Sequence, residues 1–181
     1  MRFASLGSGS RGNATVIAAG GTLLLVDCGF TIKEVEQRLA RLDLSADRLT
    51  AVLVTHEHSD HIKGVGALAR KFGLPVYSSF GTFRAVTGGR PSLDDVIWHE
   101  IRPGRSFRVD DSDIMPVPVP HDAREPCQFV FQCGGRRCGL LTDLGSTTSH
   151  LVDAYRHCDA LLLETNHDAN MLANGTYPPT L

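Results

Sequence analysis

Residues 51–64 read AVLVTHEHSDHIKG. The first four, AVLV, form a continuous apolar run of the kind that fills a strand buried on both faces. The positions that follow carry His56, His58 and His61 together with the acids Glu57 and Asp60. The whole chain has 8 histidines among 181 residues, so three within six positions is a concentration that needs a cause. In extended backbone, residues i and i+2 point the same way, so His56 and His58 can turn both imidazoles toward one ion at the strand end. Asp60 and His61 fall at the first turn of the next helix and point to one side, where a second ion has room. Zn²⁺, Mn²⁺ and Fe²⁺ all accept imidazole together with carboxylate. The competing explanation makes Ser59 or Asp60 a helix N-cap and the histidines polar surface. A lone histidine would favour it; the H-x-H-x-D-H spacing favours metal.

Working outward, the first half reads as strands and then as strands alternating with helices. FASL, TVIAA and TLLLVD are three short strands, with a tight turn at Gly20–Gly21 between the last two. Residues 31–42 place Ile32, Val35, Leu39 and Leu42 at helical spacing, with Thr31 as the cap. After the histidines, Ile62, Val65, Leu68, Ala69 and Phe72 mark one face of a helix ending near Gly73, and PVYS follows as a strand. The second half is richer in strands: SFRV, IMPVPVP, CQFVFQC, RRCGLLTD and ALLLE, with a helix over 147–156. Pro116, Pro118 and Pro120 push their segment toward a sheet edge or an irregular approach. No repeat or linker interrupts this order, so residues 1–181 are expected to form a single domain of mixed α/β (α+β) class.

Apolar residues at 42% and charged residues at 21% fit a globular protein, and a chain of this length buries roughly 70% of its unfolded surface. The formal net charge of −2 gives no bulk attraction for nucleic acid or an anionic membrane. A polyanion would have to be held locally, by a metal or by arginines, which make up 15 of the 18 basic residues. The N-terminus has no apolar core of secretory-signal length, and no apolar stretch approaches the ~20 residues of a membrane span. The five cysteines include no C-x-x-C pair. Reduced thiols in a cytoplasmic protein, without membrane insertion, are the expectation. Cys133 and Cys138 flank a hairpin turn and could face each other, although buried free thiols explain them as well. Composition fixes no oligomeric state.

Two metal ions need more ligands than one loop supplies. His121, after IMPVPVP, and Asp143, at the end of GLLTD, also close strands, and Asp143 could bridge two ions. Asp27, at the end of TLLLVD, is a candidate to orient a ligating imidazole from behind. GSGSRG at residues 7–12 imitates a dinucleotide-binding fingerprint, but the helix that fingerprint requires is missing. The next segment, NATVIAAGGT, is β-branched and too short for a crossover. The alternatives are a glycine-rich turn between antiparallel strands, or a loop whose backbone N–H groups and Ser8 and Ser10 hydroxyls lie beside an anionic ligand.

The order Asp27, H-x-H-x-D-H at 56–61, His121 and Asp143 resembles the metallo-β-lactamase-fold hydrolases. More narrowly, SLGSGSRGN (5–13), THEHSDHIKGVGALARK (55–71), HDAREP (121–126), LLTDLG (140–145) and ETNHDANML (164–172) resemble the YycJ family, also called WalJ or VicX. That resemblance covers nearly the whole chain. It implies an αβ/βα sandwich with two divalent metals, Zn or Mn and in third place Fe, at one sheet edge. It implies a phosphodiesterase of the 5′-to-3′ exonuclease type on double-stranded DNA, attacking with a metal-bridging hydroxide. His56, His58 and His121 would bind one ion, and Asp60 and His61 the other. Asp143 would bridge them, with Asp60 and Asp143 as the catalytic carboxylates. Ser8, Ser10, Asn13, Glu164 and His167 fall in family motifs near the site. The same ligands serve other hydrolases, so a thioesterase of glyoxalase II type is the alternative enzyme. A non-catalytic partner in cell-envelope signalling is the alternative of another class. The family pattern continues, after its Tyr-Pro stretch, with a G-H-L-S-N segment bearing the last metal-binding histidine. With the sequence ending at Leu181, the C-terminal layer is expected to be incomplete and this form weakly active or inactive.

Overall fold

The apolar runs become strands covered on both faces, and their alternating side chains define the layers. The computed structural model describes residues 1–89 and 92–165. Among these, one sheet runs β1 (Arg2–Gly7), β2 (Ala14–Ala19), β3 (Thr22–Val26), β4 (Ala51–Leu53), β5 (Val76–Ser79), β6 (Trp98–Ile101). β1 to β3 pair antiparallel, and β3 to β6 run parallel. The other sheet is ordered β11 (Ala160–Leu163), β10 (Arg136–Leu141), β9 (Cys127–Cys133), β8 (Ser112–Pro118), β7 (Phe107–Val109). Only its β10–β11 pair is parallel.

Successive side chains of a strand face opposite ways. Leu23 and Leu25 of β3 and Val52 of β4 pack outward, against Val35 and Leu39 of helix α1 (Ile32–Ala40). Leu24, Val26 and Leu53 pack inward, against Ile114, Phe129, Phe131 and Leu140 of the second sheet. Val130, between the two phenylalanines, turns to the far side and meets Leu151 and Tyr155 of the C-terminal helix (Ser149–Tyr155). The result is the αβ/βα sandwich. Each fully buried Leu or Phe in it contributes roughly 1.5–3 kcal/mol.

The helix starts follow their caps. The Thr31 hydroxyl accepts from Glu34 N–H and the Glu34 carboxylate accepts from Thr31 N–H, a reciprocal capping box. The helix expected after the histidines is split into α2 (Ser59–Ile62) and α3 (Val65–Phe72), the latter closed by left-handed Gly73. The break lies at Gly64, where a Cβ would stand 2.0 Å from Phe30 O, so the backbone must turn there to let the two loops touch. Helix α4 (Phe80–Val86) and strand β6 lie in a stretch with no clear period in the sequence.

The prolines occupy an edge in part. β7 pairs with β8 only over Ser112–Ile114, so Pro116 and Pro118 fall beyond its end and have β9 alone as strand neighbour. All five cysteines are free. Across the hairpin, Cys133 stands opposite Arg136 and Cys138 opposite Phe131, so those two thiols do not face each other. No described helix is long and apolar enough to cross a membrane.

Candidate metal centre

The C-terminal ends of β3 and β4 lie side by side in the parallel part of the first sheet, and the site is built there. Asp27 follows β3 with φ +60°, and Asp143 follows β10 with φ +48°. Aspartate tolerates this left-handed backbone better than most residues. In both places it turns a carboxylate back over the strand end.

Asp27 is buried and fully engaged. One oxygen accepts from Thr55 N–H at 2.8 Å, and the other accepts from the Thr55 hydroxyl at 2.8 Å. That second oxygen also lies 2.8 Å from His61 Nδ1. The Nδ1 proton of His61 is thereby held by Asp27, and its Nε2 looks into the corner. There it meets Asp143 Oδ2 at 3.2 Å, Asp60 Oδ2 at 3.6 Å and the Asn13 amide at 2.9 Å. Burial alone would lower the His61 pKa. Asp27, by charge and hydrogen bond, with Asp143 and Asp60 behind it, instead raises it from 6.5 to about 9. Without a cation, a proton answers these acids; a divalent cation would answer the same charge.

His56 shows the reverse. Burial, with the neighbouring imidazoles of His61, His121 and His58, pushes its pKa down to about 2, so the ring is neutral with a free lone pair. Its Nδ1 lies 2.9 Å from the Thr55 hydroxyl. Among the described residues its buried Nε2 has no hydrogen-bond partner, and neither does Asp143 Oδ2. Buried polar atoms are seldom left so.

His58 and His121 complete the corner from two loops. His58 Nδ1 and His121 Nε2 stand 3.3 Å apart. The opposite nitrogens are tied back: His58 Nε2 to Asp122 O at 3.2 Å, and His121 Nδ1 to the Asp122 carboxylate at 3.3 Å. Each of the three rings thus has one nitrogen anchored and the other free to converge. His56, His58 and His121 offer donor atoms within 4.8 Å of one another, and so do His56, His61 and Asp143. Imidazole with carboxylate is the donor chemistry of borderline divalent cations, so both sets fit one. An imidazole nitrogen has a single lone pair, so His56 can serve only one of two ions. Asp60 is the carboxylate placed to replace it beside His61.

The remaining expected residues divide. Asn13 joins the corner: its amide donates to Asp60 Oδ2 at 3.0 Å, and its backbone N–H donates to Asp60 O at 2.7 Å. Gly29 makes this approach feasible, since a Cβ there would stand 1.8 Å from Asp60 O. The glycine-rich stretch itself is a turn between antiparallel β1 and β2. Ser8 lines an adjoining cleft of about 190 Å³ with Asn13, Asp27, Thr142 and Glu164. Ser10 is exposed and forms no hydrogen bond to the corner among the described residues. Glu164 accepts from Asp143 N–H at 3.0 Å, so it holds the Asp143 backbone. His167 lies outside the described residues. Thr55, Glu57 and Asp122 escaped the reading of the sequence, and their positions beside expected ligands are the signal that would have found them. Cys28 is packed behind the corner, where burial pushes its thiol up to about 12 and its Sγ lies 3.5 Å from Phe30 O; it belongs to neither donor set.

The pattern of a β-lactamase superfamily domain matches residues 22–180. The exodeoxyribonuclease YycJ of Bacillus anthracis is 36% identical over 180 residues, covering 98% of this chain and 67% of that protein. The exodeoxyribonuclease WalJ of Streptococcus pneumoniae is 35% identical over 179 residues, covering 98% and 66%. The chain therefore spans about two thirds of the length of the curated relatives it matches. Among solved structures, Zn²⁺-bound PqqB from Methylobacterium extorquens superposes with a TM-score of 0.73 at 19% identity, over 91% of this chain and 66% of that one. At that identity the likeness is one of fold.

Proposed function

We propose, from the premise that the chain belongs to the metallo-β-lactamase superfamily and within it to the YycJ/WalJ family, that it is a metal-dependent phosphodiesterase cleaving DNA from an end. The observation that carries the reading is the pair of donor sets converging on one corner, with the buried His56 Nε2 left without a hydrogen bond. The names of the two relatives, both exodeoxyribonucleases, supply the substrate class.

Two divalent ions, Zn²⁺ or Mn²⁺ with Fe²⁺ as a third choice, would be held by His56, His58 and His121 and by Asp60 and His61, with Asp143 between. Bound there, such ions acidify a water and bind phosphate oxygens, which supplies locally the positive charge that a net −2 does not. The protein's own part is orientation. Asp27 fixes the His61 ring through Nδ1, Thr55 fixes Asp27 and His56, and Asp122 fixes His58 and His121. Such partners behind a ligand set its tautomer and direction. Asp60, held by Asn13, would orient the attacking water, and Asp143, held by Glu164, stands with His56 and His61 in one of the two donor sets. The five free cysteines support a cytoplasmic setting, where thiols stay reduced.

The test uses double-stranded DNA labelled at the 5′ end, with Mn²⁺ or Zn²⁺, beside a glutathione thioester. Slow release of labelled nucleotides, abolished by chelator, is the expected result. Thioester hydrolysis without DNA degradation would replace the reading with that of a thioesterase.

A further inference from the structure

We propose that Glu57, the acid between two of the histidines, is a positioning residue that holds the His121 loop in register with His58. The inference rests on the reading of His56, His58 and His121 as metal ligands and assigns a role to a residue that binds no metal itself.

In extended backbone, neighbouring side chains point to opposite sides, so Glu57 leaves the corner where His56 and His58 enter it. Its carboxylate crosses to the loop that bears His121. One oxygen accepts from Arg124 N–H at 2.8 Å, and the other lies 3.5 Å from the Thr82 hydroxyl in the first turn of α4. The same loop is gripped once more from α4: the Glu125 carboxylate accepts from Gly81 N–H at 2.7 Å, and Glu125 O accepts from the Ser79 hydroxyl at 2.8 Å. Gly81 is needed for this approach, since a Cβ there would lie 2.5 Å from Glu125 Cβ.

The loop between β8 and β9 is otherwise tied at its base, by Val119 N–H to Pro126 O and by Cys127 N–H to Thr55 O. Near His121 itself, the Pro120 carbonyl accepts from Gly145 N–H at 2.9 Å. Two ties run from the H-x-H segment straight to the residues following His121. One is His58 Nε2 to Asp122 O, and Glu57 makes the other, which does not use a ligating ring. Glu57 therefore helps to set the spacing of the two rings whose facing nitrogens stand 3.3 Å apart. A set of three imidazoles loses affinity when one ring drifts, and partners behind ligands are worth about 10–100-fold in metal affinity.

The experiment measures Zn²⁺ affinity by competition with a chromophoric chelator for the wild-type chain, Glu57→Ala and Glu57→Gln, with thermal melts of the metal-free proteins. Glu57→Ala is expected to weaken the tightest site about 10–100-fold while still melting cooperatively. Glu57→Gln, whose amide oxygen can still accept from Arg124 N–H, is expected to stay within a few-fold of wild type. A merely structural role would lower the melting temperature and leave the affinity of the folded protein unchanged, which overturns the proposal. Loss in Glu57→Gln equal to that in Glu57→Ala also overturns it, since charge and not the hydrogen bond would then matter. A wild-type chain that takes up no Zn²⁺ fails one level lower, at the reading of the histidines as ligands.

Discussion

Phe129 and Phe131 between the sheets, at 0% exposure, and His56 and His61 at the sheet edge, at 1%, are sealed from water alike. What they bury is opposite. Between the sheets, every apolar surface finds another: Leu24, Val26 and Leu53 from one side, Ile114 and Leu140 from the other. At the edge, buried imidazoles and carboxylates are gathered, and His56 Nε2 is left without a hydrogen bond. Burial of the first kind lowers the free energy of the fold. Burial of the second kind is tolerated only because the rest of the structure over-determines it, and it leaves a place for a cation. The lesson is that equal burial reports stability in one place and chemistry in the other, and the kind of side chain gathered there tells them apart.

Three substitutions sharpen the contrast, taken from the largest effect on stability downward. Phe129→Ala empties the inter-sheet layer and is expected to cost about 4 kcal/mol in denaturant unfolding. The metal affinity of the molecules that remain folded should not change, and a parallel loss of affinity would break the division drawn here. Asp27→Ala leaves Thr55 and His61 without their acceptor and is expected to cost about 3 kcal/mol, with metal affinity falling as well. It also carries a pH signature. In the metal-free protein His61 titrates at about 9 against 6.5 for the free ring. Its stabilising contribution is complete below 6.5 and is lost as pH rises through about 9. Unfolding curves across that window should fall for the wild type and flatten in Asp27→Ala. His56→Leu is the smallest: it removes the unpartnered Nε2 but also the Nδ1 bond to the Thr55 hydroxyl, so metal-free stability should fall by about 1–2 kcal/mol.

Much of this was legible in advance, unevenly. Strands such as β3 and β4 could be read because both of their faces are covered, which makes their sequences continuously apolar. Helix α1 announced itself through Thr31 and the spacing of Ile32, Val35, Leu39 and Leu42. The strand-end corner was legible because one short loop carries His56, His58, Asp60 and His61, and because His121, Asp143 and Asp27 each close a strand; the resemblance added their roles. Strand β6, WHEI, was missed: it lies at the edge of its sheet with a half-exposed, charged sequence that lacks any period. Helix α4 was missed because seven residues give too little periodicity. The ties made by Glu57 and Asp122 depend on where a loop more than sixty positions away comes to rest, as their bonds to Arg124 and His58 show. No local pattern encodes that.

The most direct test of the corner as a metal centre is Zn²⁺ affinity in wild type and His56→Leu, measured by chelator competition at equal folded concentration. The account predicts tight uptake by the wild-type chain and at least about a 100-fold loss in His56→Leu, with metal-free stability lowered by no more than about 2 kcal/mol. Wild-type affinity retained in His56→Leu would contradict it.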